Sequence, residues 1–203
     1  MKSSLKNMVL VLFCITLISG ACVGLVYNIT KEPIAKAQAA AEKKALAEVL
    51  PEFDKVEKSV HKADGLDIEV FSATKGADTV GYAIKTATKN GFSGMIKMMV
   101  GFDIHGKILN VKVLEHSETP GLGSKMTIYD KPKKNPLLSL NGKEASKTKL
   151  MVEKDGGDID ALTAATITSR AYLDAVARAY SVFKYVAGWS DTIEPTTGAT
   201  QKR

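Results

Sequence analysis

Val80-Gly-Tyr-Ala-Ile-Lys-Thr-Ala-Thr88, then Met95-Ile-Lys-Met-Met-Val-Gly-Phe-Asp103, then Lys107-Ile-Leu-Asn-Val-Lys-Val-Leu-Glu115 form the stretch on which the fold turns. Each run is short, rich in apolar and β-branched residues and partly alternating, as strands packed on one or both faces must be. Asp67 to Thr74 precedes them as a run of the same kind. The separators Lys75-Gly76-Ala77-Asp78, Lys89-Asn90-Gly91 and Asp103-Ile104-His105-Gly106 are turn chemistry. Strands joined by such short turns predict an antiparallel meander.

Downstream, Glu118 to Asp158 turns loop-like, with Pro120, Gly121, Gly123, Pro132, Pro136, Gly142, Gly156 and Gly157. A connection this long inside a compact domain is commonly functional. A helix is predicted from about Thr168 to Ala187, with Leu173, Val176, Ala177, Tyr180, Phe183 and Ala187 on one face and Gly188 beyond its end. That stripe reads as core packing. Strands and helices are segregated rather than alternating, so the fold class is α+β: an antiparallel sheet with packed helices. Upstream, Ile34 to Leu50 is dense in Ala, Lys and Glu and is predicted as a helical stalk or first helix ended by Pro51.

Farther out, Met8 to Tyr27 carries no charge. About 20 apolar residues span a hydrocarbon core as a helix, and Tyr27 suits its interface. Cleavage as a signal peptide fits less well, because apolar character runs past Ala21 through Val26. Lipid attachment at Cys22 is disfavoured by Ser19 three positions earlier. The expected organisation is therefore a short N-terminus over 1–7, a transmembrane helix over 8–28, a helical stalk over 29–60, a domain over 61–190 and a polar tail over 191–203. Lys2 and Lys6 precede the helix while Lys31, Lys36, Lys43 and Lys44 follow it, so charge alone leaves the orientation open.

The totals exclude several functions. Of 203 residues, 45% are hydrophobic and 25% charged, enough for one folded domain beside the membrane segment. The net charge of +6 comes from scattered lysines without an aromatic-interleaved basic block, so no nucleic-acid partner is expected. Both cysteines, Cys14 and Cys22, lie in the apolar run, which leaves the remainder without thiols for a disulfide, a thiolate zinc site or an iron–sulfur cluster. His61, His105 and His116 have no metal-ligand spacing, and no metal is expected. No Gly-x-Gly-x-x-Gly follows a strand, so a nicotinamide site of the dinucleotide-binding type is unsupported. No residue stands out as a catalytic acid, base or nucleophile.

Two segments carry chemistry. His116-Ser-Glu-Thr-Pro-Gly-Leu-Gly123 leaves a strand through a tight turn whose glycines let backbone approach a flat ring, with Leu122 to pack on it. A plain strand-ending turn is the simpler reading. Asp160-Ala-Leu-Thr-Ala-Ala-Thr-Ile-Thr-Ser169 opens the last helix with hydroxyls among small residues, and the free N–H groups of a helix start suit a phosphate. Simple capping by Asp160, Thr163 or Thr166 is the alternative.

Together with the apolar helix and Gly91-Phe-Ser-Gly94 through Val100-Gly-Phe-Asp103, these segments resemble the FMN-binding domain shared by the G subunit of the Rnf complex and the C subunit of the sodium-pumping NADH:quinone reductase. The resemblance covers most of the chain, whose length is closer to the Rnf subunit. It implies a membrane-anchored electron carrier with FMN joined by a phosphoester to Thr166, attached by a dedicated flavin transferase. Asp160 and Thr163 would belong to the transferase motif; Glu118, Thr119, Gly121, Leu122 and Gly123 would line the flavin, with Ala165, Thr168 and Ser169 at the phosphate end. It further implies a single-pass protein of the inner (cytoplasmic) membrane with its domain on the extracytoplasmic or periplasmic side. Its partners would be the bilayer and other membrane and peripheral Rnf subunits, in electron flow between ferredoxin and NAD coupled to ion transport. A cofactor-free membrane-anchored binding module is the alternative from another class.

The family motif's glycine is Ala164 here, expected to sit in the first helical turn, where alanine is favourable. Thr197-Gly-Ala-Thr200 matches the short motif more closely, but Glu194 replaces its aspartate and no helix follows, so Thr166 is the expected attachment residue.

Overall fold

The computed structural model describes residues 4–194, and Thr200 lies outside them. The chain divides into two units, Met1–Glu42 and Lys43–Arg203. In the first unit every described residue after Ser4 belongs to α1, Leu5–Val49, whose last turns count with the second. Leu10, Phe13 and Leu17 are exposed, as befits side chains that face hydrocarbon. The Thr16 and Thr30 hydroxyls donate back to the carbonyls of Leu12 (3.0 Å) and Val26 (2.8 Å), which satisfies them without water. α1 is long and apolar enough to cross a membrane, and it continues through Pro33 rather than restarting there.

The second unit is a five-stranded antiparallel sheet in the order β1-β2-β3-β4-β5. The strands are β1 (Lys55–Ala63), β2 (Leu66–Lys75), β3 (Asp78–Thr88), β4 (Ile96–Phe102) and β5 (Ile108–Glu115). The four expected runs are strands within a residue or two of their expected ends. Residues 55–60, expected as helical stalk, instead begin β1. This edge strand is mostly exposed and lacks an apolar face, so it carries little strand signal. The signal that existed was Asp64-Gly65, whose φ angles of 51° and 71° make the two-residue turn of a tight hairpin.

Each face of the sheet buries a different helix. Ile68, Val70, Ile84, Met98, Val100 and Phe102 pack against α2, Thr166–Val186. Phe71, Ala73, Ala83 and Met99 pack against Ala45, Val49 and Leu50 at the end of α1. β4 is therefore buried on both faces, which is why its sequence alternates poorly. Gly101 makes the second layer possible, because a Cβ there would collide with the Val49 carbonyl oxygen.

α2 starts two residues before its expected Thr168 and ends at Val186, with Gly188 at φ 73° just past its C-terminus. Its buried polar side chains fasten it to the sheet. Arg178 Nε donates to Asp64 Oδ2 (2.8 Å), Nη1 to the Ala87 carbonyl (2.9 Å) and Nη2 to Asp174 Oδ2 (3.1 Å), which also accepts from the Thr88 hydroxyl (3.0 Å). The segment after α2, read from sequence as a loose polar tail, is tied back as far as Glu194: its carbonyl accepts from Ser181 Oγ and its carboxylate from Lys184 Nζ.

The long loop region folds into three short 3₁₀ turns, η1 (Gly123–Thr127), η2 (Pro136–Leu140) and η3 (Glu153–Asp155). Buried Asn135 donates to the carbonyls of Met126 (2.9 Å) and Ile128 (3.1 Å). Arg170 on α2 grips Asp155 through two 2.7 Å bonds, a fork that raises the guanidinium pKa. The start of α2 is thereby locked to the loops beside it.

Candidate functional site

The loop leaving β5 turns at His116, whose Nδ1 accepts the Glu118 N–H (3.1 Å). Gly121, at φ 75°, and the bond from its N–H to Ser124 Oγ (2.9 Å) shape the next turn, which leads into η1. The loop thus runs beside the start of α2, and the two segments singled out from the sequence meet. A cleft of about 330 Å³ opens between them, within the range of small-molecule sites.

Of the expected site residues, Glu118, Thr119, Leu122 and Gly123 line this cleft from the loop, and Ala165, Thr166 and Thr168 line it from α2. Gly121 shapes the loop without lining the cleft. Ser169 is buried beneath it: its hydroxyl accepts from the Leu162 N–H (2.9 Å) and donates to the Ala165 carbonyl (3.0 Å), folding the preceding chain onto the helix. Asp160 and Thr163 are exposed and do not line the cleft; Asp160 Oδ1 accepts the Ala161 N–H (2.7 Å). No side chain caps α2. Asp160, Thr163 and Thr166 all fail as caps; Ala165 holds the cap position and Thr166 is the first helical residue.

The conformation of Ala164 differs from the expectation. It precedes the helix at φ 61°, in the left-handed region where an L side chain costs about 1 kcal/mol. The glycine of the family motif would adopt this geometry without strain.

Three lining residues, Phe92, Ala164 and Ile167, were not among the expected cofactor-binding residues. Phe92, between glycines in the turn before β4, is 67% exposed, and Ile167 and Leu122 are exposed beside it. An aromatic held out of the core by a turn was the available signal. Ile167 lies off the α2 core stripe and gave a weaker one. With Leu122, these side chains give the cleft an apolar rim.

FMN needs a surface for its ring and donors for its phosphate, and this cleft has both. A flat ring would meet the apolar side chains of Phe92, Leu122 and Ile167 at the rim. A phosphate would meet the first N–H groups of a 21-residue helix whose own first turn has no acidic residue, with the Glu118 carboxylate held on the Thr168 hydroxyl beside it. The Thr166 hydroxyl is carried on that same turn. Among the described residues no cluster of three His, Cys, Asp or Glu could hold a metal ion.

Comparison with known proteins supports FMN as the ligand of this domain. Residues 91–181, which contain the whole cleft, match the FMN-binding domain, and residues 1–49 match the RnfG N-terminal region. Proteins named as the G subunit of an ion-translocating oxidoreductase complex are similar along nearly the full length. The one from Shewanella amazonensis is 38% identical over 87% of this chain and 86% of its own. Those from Shewanella loihica and Aliivibrio fischeri are each 33% identical, over 90% and 91% of this chain and 91% and 92% of their own. By fold and site the chain is an FMN-binding protein with a membrane helix. It belongs to the family of the G subunit of the Rnf-type ion-translocating oxidoreductase complex.

Proposed function

We propose that FMN is held covalently, through a phosphoester to the Thr166 hydroxyl, in the cleft between the 118–123 loop and the start of α2. The chain is a membrane-anchored FMN electron carrier of the Rnf complex, and its partners are the other subunits of that complex. The attachment is carried by one observation: Thr166 lines the cleft at the first position of a helix whose N-terminus no side chain caps. A phosphate esterified there meets the helix's free N–H groups and the positive end of its dipole.

The flavin supplies the electron chemistry; the protein tethers it, orients it and sets its surroundings. Gly123 leaves room for Glu118 to meet Thr168 in the cleft wall, while Phe92, Leu122 and Ile167 offer apolar contact at the rim. Thr163 and Asp160, exposed just before the helix, are placed for reading by a flavin transferase rather than for touching the cofactor. The domain faces the extracytoplasmic side, and the complex moves electrons between ferredoxin and NAD coupled to ion transport. The match to the RnfG N-terminal region favours this subunit over the quinone-reductase C subunit, and the FMN-binding domain disfavours a cofactor-free module.

Mass spectrometry of peptides from protein made beside a flavin transferase tests the attachment. The peptide containing Thr166 carries the FMN mass, Thr166→Ala loses it, and Thr200→Ala keeps it. Flavin retained in Thr166→Ala would overturn the assignment.

A further inference from the structure

Glu118 is the only charged side chain among the described residues lining the cleft, and it is 5% exposed. Its two oxygens reach opposite walls. Oε1 accepts the Ser93 N–H (3.0 Å) from the turn that carries Phe92, and Oε2 accepts the Thr168 hydroxyl (2.5 Å) from the helix that carries Thr166. Two glycines clear its seat. A Cβ on Gly123 would lie 2.5 Å from Oε2 and 2.7 Å from Thr168 Oγ1; one on Gly91 would collide first with the Gly94 carbonyl oxygen of its own turn and would also lie 2.8 Å from Oε1.

Three separate segments thus commit their chemistry to housing one carboxylate. Burying it is costly, and two neutral donors offset that cost only in part. No lysine or arginine nitrogen lies within ion-pair distance of it among the described residues. If bridging were its only task, a neutral amide could also link a donor and an acceptor on the two walls. What the carboxylate adds is charge.

We propose that Glu118 is a positioning residue which also tunes the flavin: it fastens the Phe92 turn to α2 and places a negative charge in the cleft wall that lowers the reduction potential of the bound FMN. The proposal rests on FMN occupying this cleft. Adding electrons beside a fixed negative charge is less favourable than adding them in its absence. The effect is stronger in a partly enclosed site than in water.

The test is a redox titration at fixed pH of full-length, detergent-solubilised protein, with FMN content read from the Thr166 peptide mass in every preparation. Glu118→Gln keeps its flavin and shifts to a higher potential. Thr168→Val removes one fastening but keeps the charge, so any rise in its potential is smaller than that of Glu118→Gln. Leu122→Lys, which adds a cation at an exposed position on the same wall, raises the potential and provides a test that does not require Glu118→Gln to fold. Glu118→Gln or Leu122→Lys carrying full flavin at an unmoved potential overturns the inference, and so does a Thr168→Val rise equal to that of Glu118→Gln. Absence of flavin from the wild-type Thr166 peptide would instead overturn the attachment reading, and this inference with it.

Discussion

At the residue scale, the site is shaped by where a Cβ is absent and where one is tolerated under strain. Ala164 holds a left-handed conformation at the entry to α2 and is exposed, with φ 61°. Ala164→Gly relieves that strain, although glycine's greater freedom in the unfolded chain offsets part of the gain. The expected net stabilisation is below about 1 kcal/mol, with more complete flavin attachment if the transferase needs this turn formed. Chemical denaturation of the full-length protein, with flavin occupancy by mass, reads both. A loss of stability would contradict the assigned geometry. Gly123 is the opposite case: a Cβ would press on both Glu118 Oε2 and Thr168 Oγ1. Gly123→Ala is expected to destabilise by about 1–3 kcal/mol, the usual cost of overpacking, and to lower flavin content. An unchanged denaturation midpoint would show that the carboxylate has room to move.

At the scale of elements, α2 does two jobs. Its apolar face closes the core, and its N-terminus presents Thr166, the proposed attachment residue. The Arg178 cluster holds it in register on the sheet, joining Asp174 on the same helix to Asp64 in the β1–β2 turn. Removing the guanidinium leaves Asp174 buried without its cation. Arg178→Ala is therefore expected to cost about 3–5 kcal/mol, visible as a large drop in thermal midpoint. A drop of only a few tenths would mean that the cluster is dispensable. The α2 stripe was legible because Leu173, Val176, Tyr180 and Phe183 repeat at helical spacing. β1 was not, because an exposed edge strand has no apolar alternation to read, and only its Asp64-Gly65 turn betrayed it.

At the scale of the whole molecule, the sheet's outer strands are knitted by charge as well as by backbone. Glu69 on β2 bonds Lys85 on β3 (2.9 Å) and pairs with Lys58 on β1 (3.1 Å). Burial pushes the Glu69 carboxyl upward, but the Lys85 and Lys58 ammonium groups outweigh it and hold the group below its usual value near 4.5. A depressed folded-state pKa contributes stability that is present above the unfolded value and lost as pH falls through the folded one. Wild type should therefore exceed Glu69→Gln in thermal midpoint at neutral pH, with the gap closing below about pH 4.5. A gap independent of pH would locate the effect in packing instead.

The sequence by itself determined the apolar membrane segment, the four-strand meander, the closing helix and the two segments that meet at the cleft. Composition, turn residues and periodicity are local properties, written in neighbouring residues. Only the tertiary structure decided that Glu118 meets Thr168 fifty positions away, that Asp160 and Thr163 stand outside the cleft, that Phe92 joins its rim and that Ala164 is strained. Those features depend on how the loops fold back on α2. Contacts between distant segments and the backbone angles they impose leave no period in the sequence to read.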